Sequence, residues 1–214
     1  MLTILYACLV AVFLGLTWKL AELYRQRTIS YTLLLLIVLA GLVYDVLVIF
    51  LGRFIGAGDL LKTLNAGRFL VHGIVTPSMM IFGFGILRHA GVGWAQSRGA
   101  HIGLCLFTTA MIALGIYEDG LALNLQAKTA LDTLRYVNEG GLKGPPIPSM
   151  LTIIFLIVAG IVLWRQTGCW WLAGGAMAMF IAAAIAMGDR FYFGNLGETL
   201  LGLANLLTAK RFLS

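Results

Sequence analysis

Seven apolar runs, each near the ~20 residues that carry a helix across a ~30 Å hydrocarbon core, constrain this chain to a membrane bundle. They cover about 2–19, 31–51, 64–87, 102–117, 149–164, 170–187 and 191–207. The runs are continuous rather than alternating, which selects helices over a barrel. The expected fold is all-α: one polytopic domain over 1–214, a seven-transmembrane-helix bundle. Composition agrees, since only 11% of the residues are charged and 60% are hydrophobic. A soluble domain needs roughly 25% charged residues to face water.

The net charge of +6 is not a nucleic-acid footprint. The basic residues sit in short clusters between apolar runs, as membrane topology requires, and form no stripe that could track phosphates. Nucleic acid is therefore excluded as a partner. The first run has no basic stretch ahead of it, so it reads as a retained helix rather than a secretory signal. Cys8, Cys105 and Cys169 match no metal spacing and read as packing residues.

Seven spans place Lys19, Arg25, Arg27, Arg88, Arg98, Arg165, Lys210 and Arg211 on one side. The short loops of the other side hold Arg53, Lys62 and Arg190. The positive-inside rule then sets the N-terminus outside and the C-terminus in the cytoplasm, in a plasma (inner) membrane. Trp18, Trp94, Trp164, Trp170 and Trp171 fall at the same inner interface, where indole rings suit the boundary.

The long connection 119–148 is the exception among short loops. Leu123, Ala127, Ala130, Leu131, Leu134 and Val137 recur at helical spacing, so the expectation is an amphipathic outer helix between spans four and five. Gly140, Gly141, Gly144, Pro145, Pro146 and Pro148 end it, and Pro148 opens the fifth span.

Ionisable residues inside spans cost roughly 2.5–3.5 kcal/mol each on insertion scales, so they are functional candidates. Asp45, Arg68, His72 and Glu198 all fall ~9–15 Å of helix from the outer charges, at one shared level. The expected site is a cluster of these four, with Asn195, Tyr44, Arg190 and Asp189 at its rim. Gly194, Asn195, Glu198, Gly202 and Asn205 form a small and polar stripe on the last span, suited to close helix contact. Pro77, one turn past His72, interrupts the third span.

The leading functional reading is an outward-facing polar site that binds, and if catalytic processes, a lipid or small amphipathic molecule. An enzyme of this kind would be an intramembrane hydrolase or transferase acting on lipid. His72 would be its general base, Asp45 or Glu198 would orient that ring, and Arg68 would hold an anionic head group. A proton- or ion-coupled transporter is the alternative, with Glu198 or Asp45 titrating. A structural subunit is the third reading, its partner a membrane protein packed on the small residues of the sixth span. No hydrolase, zinc or phosphate-binding motif is present, and no cofactor is indicated. His72 lacks a second imidazole at its depth for haem, and the last span has no mid-helix lysine for retinal. A mixed carboxylate–His metal site of Asp45, His72 and Glu198 is chemically conceivable, but no metal ligand is assigned.

Overall fold

A computed structural model describes residues 1–140, 146–186 and 190–213. Asp189, Gly141, Gly144 and Pro145, named above from sequence, lie outside the described residues. Seven α-helices account for most of the rest: α1 Leu2–Gln26, α2 Ser30–Ile55, α3 Asp59–His89, α4 Arg98–Ile116, α5 Ile147–Thr167, α6 Trp171–Ile185 and α7 Tyr192–Leu213. The first five are long and apolar enough to cross a membrane. The remaining pair are a shorter apolar helix of 15 residues and a more polar one of 22.

Helix α1 shows how the pattern becomes packing. Its buried residues are Leu2, Tyr6, Leu9, Phe13, Leu16, Leu20 and Leu23. Steps of four and three make a narrow seam, as in a coiled coil, and that seam lies against α2 and α7. Helix α3 is the central element, in contact with α2, α4, α5 and α7. In its most apolar 18-residue stretch, 61% of the residues are buried, against 11% for the peripheral α4.

Small residues set the closest crossings. A Cβ on Gly160 of α5 would lie 2.3 Å from the Ala173 nitrogen of α6, and one on Gly175 of α6 would lie 2.3 Å from the Ala204 methyl of α7. Some of the small residues of α6 therefore serve contacts within the chain. Pro77 cannot donate to the carbonyl of Gly73, four residues earlier. That carbonyl faces α4 instead, where a Cβ on Gly115 would stand only 2.4 Å from it.

The connection after α4 differs from the sequence expectation. The chain makes a π-turn at Tyr117–Leu121, then an antiparallel hairpin of β1 (Leu125–Ala130) and β2 (Thr133–Asn138). No amphipathic helix forms there. The apolar spacing suggested a helix, but Thr129, Thr133, Tyr136 and Val137 favour an extended chain. Docking decides between the two. The Leu134 carbonyl presses on Gly52 of α2, where a Cβ would be 1.9 Å away. The Tyr136 hydroxyl accepts from the Gly58 N–H at 3.2 Å, and the Tyr136 N–H donates to the Asn65 side chain at 3.3 Å. Leu131 makes the tight turn at φ 54°, in the left-handed region uncommon for non-glycine residues.

The hairpin lies over one end of the bundle. The N–H groups of Leu2 and Thr3 in α1 donate to the Asp132 carboxylate at 2.8 and 3.3 Å. The Asn138 amide donates to the Glu118 carbonyl past α4 at 3.2 Å. The Arg135 guanidinium sits 3.7 Å over the ring of Phe191, just before α7. The tryptophans are at the opposite end.

Candidate functional site

The site begins from α2 and α3, which run side by side beneath the hairpin. Arg68 of α3 reaches Asp45 of α2, with Nε 3.0 Å from Oδ1 and both side chains largely buried. The Arg68 Nη1 donates to Asn65 Oδ1 at 3.1 Å, and Asn65 Nδ2 donates to the Leu61 carbonyl at 2.8 Å. The Asn65 oxygen that accepts from Arg68 also accepts from the Tyr136 backbone, so the hairpin and the ion pair share one amide.

Helix α7 completes the network. Asn195 Nδ2 donates to Asp45 Oδ2 at 3.0 Å and to Glu198 Oε2 at 2.9 Å. Its Oδ1 accepts from the Tyr6 hydroxyl of α1 at 2.7 Å. One buried amide therefore joins three helices and holds two carboxylates close together. Such polar crosslinks are stable only when every member is satisfied.

His72 stands one turn beyond Arg68. Its Nδ1 is 3.3 Å from the Thr76 hydroxyl, and its Nε2 is 3.5 Å from the Ser149 hydroxyl of α5. The expectation that Asp45 or Glu198 orients this ring is corrected: two hydroxyls occupy the positions beside its nitrogens. Among the described residues no three His, Cys, Asp or Glu side chains converge as a metal would require, which removes the mixed site of Asp45, His72 and Glu198.

These side chains open onto one cavity of about 490 Å³ among α2, α3, α5, α6 and α7. Asp45, Arg68, His72 and Glu198 all line it, joined by Ser149, Thr76 and Thr152. The rest of the lining is almost wholly apolar, from Leu35, Leu39, Val75, Met79, Ile153 and Leu156 among others. Lining residues of α5 come from its first half and those of α6 from its second half. The two helices cross closely at Gly160 and Ala173, and the cavity lining includes the exposed residues Phe180, Ala183 and Ala184.

No protein-family model matches this chain, and no curated protein is significantly similar to it. Its chemistry has to be read from the site alone.

The other sequence candidates take different positions. Asn195 holds the carboxylates from behind and is not among the lining residues. Tyr44 donates to the Leu64 carbonyl at 2.9 Å, packs on Gly67 and is turned away from the cavity. Arg190 is exposed ahead of α7 and does not line it. Tyr6, Asn65 and Ser149 were not singled out from sequence. Asn65 had a signal, an amide three residues before an intramembrane arginine. Tyr6 had none, since it is one apolar-seam residue among seven.

Proposed function

We propose that this chain is a seven-span membrane protein whose cavity binds a lipid or small amphipathic molecule, head group toward the hairpin end. The observation that carries the reading is a single cavity, apolar along its length, with four ionisable side chains gathered at one end. Its volume is within the roughly 300–1,000 Å³ of small-molecule sites. A soluble polar ligand would leave those walls without a partner, whereas an acyl chain fills them. The exposed lining residues Phe180, Ala183 and Ala184 of α6 support lateral access from the bilayer. The positive-inside count supports an extracytoplasmic hairpin end and a plasma-membrane location.

The head group follows from charge. Two carboxylates share the cavity with one guanidinium and one imidazole, and the guanidinium is engaged by Asp45 and Asn65. Glu198 forms no ion pair among the described residues. The site therefore suits a head that donates hydrogen bonds, an ammonium or hydroxyl group, better than an anionic one. Native mass spectrometry of the protein from mild detergent, titrated with dodecylamine, tests the assignment. A stoichiometric adduct that weakens in Glu198→Gln is expected; no adduct and no retained lipid would overturn it.

A second reading rests on Ser149 and His72. With Nδ1–H turned to Thr76, the Nε2 of His72 is free to accept the Ser149 proton, and 3.5 Å is a usual looseness for an unliganded nucleophile–base pair. Attack of Ser149 Oγ on an ester carbonyl would pass that proton to His72. Breakage of the ester C–O bond would return it to the departing alcohol, and water would release the acid from the acyl-serine by the same route. The protein would then be a lipid ester hydrolase.

A further inference from the structure

The cavity continues past its charged end. Two helical turns beyond Glu198, ~10.5 Å along α7, Asn205 lines the far end of the same space. Glu198, Leu201, Gly202 and Asn205 fall at i, i+3, i+4 and i+7, one stripe of the helix, and all four line the cavity. Asn205 is fully buried, and neither its amide nitrogen nor its amide oxygen has a hydrogen-bond partner among the described residues.

That is costly in an apolar setting, because a buried carboxamide without partners loses its water for nothing. Native proteins leave few such groups, and those they leave call for an explanation. The neighbouring polar residues of α7 are satisfied locally: Thr199 donates to the Asn195 carbonyl and Thr208 to the Ala204 carbonyl. Asn205 does neither. Beyond the charged end the other lining residues are apolar apart from Thr152, whose hydroxyl is already donated to the Pro148 carbonyl.

We propose that Asn205 binds a second polar group of the cavity's ligand, an uncharged hydroxyl or carbonyl oxygen carried on the chain about two helical turns from the head. The inference rests on the amphipath reading above and narrows it: the ligand is an oxygenated amphipath rather than one with a plain hydrocarbon tail. The group is uncharged because the lining's ionisable residues, Asp45, Arg68, His72 and Glu198, all belong to the other end. A carboxamide both donates and accepts, which matches a hydroxyl in both directions.

The probes are dodecylamine, 8-hydroxydodecylamine and the 3-hydroxy isomer, titrated into the whole protein in mild detergent and followed by native mass spectrometry. The wild type should hold the 8-hydroxy amine about five-fold more tightly than the plain one, the gain of a hydrogen bond to an otherwise unpaired amide. The 3-hydroxy isomer should gain nothing at this end. Asn205→Leu should abolish the preference while still binding dodecylamine, whereas Glu198→Gln should weaken all three. The free Asn205→Leu protein should melt no lower than wild type, since it removes an unsatisfied group; a clearly lower melting point would make Asn205 a structural residue and overturn the proposal. Equal binding of the three amines by the wild type overturns the role of Asn205 but leaves the amphipath site standing. Failure of all three to bind removes the site itself, and the proposal with it.

Discussion

Arg68 and Asp45 are joined across α3 and α2 by a 3.0 Å ion pair that lies at the polar end of the cavity and is also tied, through Asn65, to the hairpin above it. A buried pair is expensive to form and more expensive to break, because the surviving charge keeps its desolvation cost without its partner.

Asp45→Asn or Arg68→Met should each destabilise the bundle by about 3–5 kcal/mol, measured by reversible unfolding in mixed micelles. The double replacement Asp45→Leu with Arg68→Met should recover most of that loss. A double variant no more stable than the singles would show that the two residues do not act as a pair. Both singles should also lose amphipath binding, since the carboxylates held by Asn195 would no longer be aligned.

The α3–α4 crossing depends on two bare backbones. A Cβ on Gly73 would meet the Gly115 carbonyl at 2.7 Å, and one on Gly115 would meet the Gly73 carbonyl at 2.4 Å. Gly115→Ala should cost about 1–3 kcal/mol by overpacking and loosen α4 selectively. Hydrogen exchange should rise over 98–116 while the α6–α7 pair stays protected. Uniform exchange across the chain would contradict the assignment.

Hairpin docking should depend on acid in a defined direction. The amino group of Met1 holds the Asp132 carboxyl well below the usual carboxylate range, helped by Thr3 and by the backbone N–H of Leu2. Because the folded pKa is depressed, the contribution to stability is present above the unfolded value of about 3.9 and is lost as pH falls through the folded one. Exchange protection over 125–138 should be flat from pH 7 to about 5 and should decline below about 4. Asp132→Asn should lower protection at neutral pH and remove the acid dependence.

The Ser149–His72 pair makes a covalent prediction. A lipophilic fluorophosphonate should label the protein on Ser149 if the pair is catalytic, with labelling abolished in Ser149→Ala and reduced about 10²-fold or more in His72→Ala. Labelling that persists in Ser149→Ala would end the hydrolase reading without touching the binding one.

Gly52→Ala isolates the hairpin from the site. Its Cβ would occupy the place of the Leu134 carbonyl, 1.9 Å away, so β2 must lift from α2. Limited proteolysis should then cut within 125–138 in the variant and spare the wild type. An intact hairpin would show that the contact at Gly52 is dispensable for docking.

Much of this protein is determined by sequence alone, because the bilayer imposes a strong and local requirement. Backbone polar groups must be satisfied within each apolar segment, so long apolar runs become helices wherever their neighbours lie. The same solvent makes Asp45, Arg68, His72 and Glu198 conspicuous, and their common depth follows from counting residues. Tertiary structure decided the rest. At the bundle end water relaxes the rule, and 125–138 sets helical apolar spacing against the β-favouring Thr129, Thr133, Tyr136 and Val137, so docking on Gly52, Gly58 and Asn65 chose the hairpin. Partnership inside the site was equally hidden: which residue faces His72, that Asn195 bridges two carboxylates, and that Asn205 is left without a partner depend on how five helices are rotated against one another. A helix fixes the angle between its own residues, but only packing fixes the angle between helices.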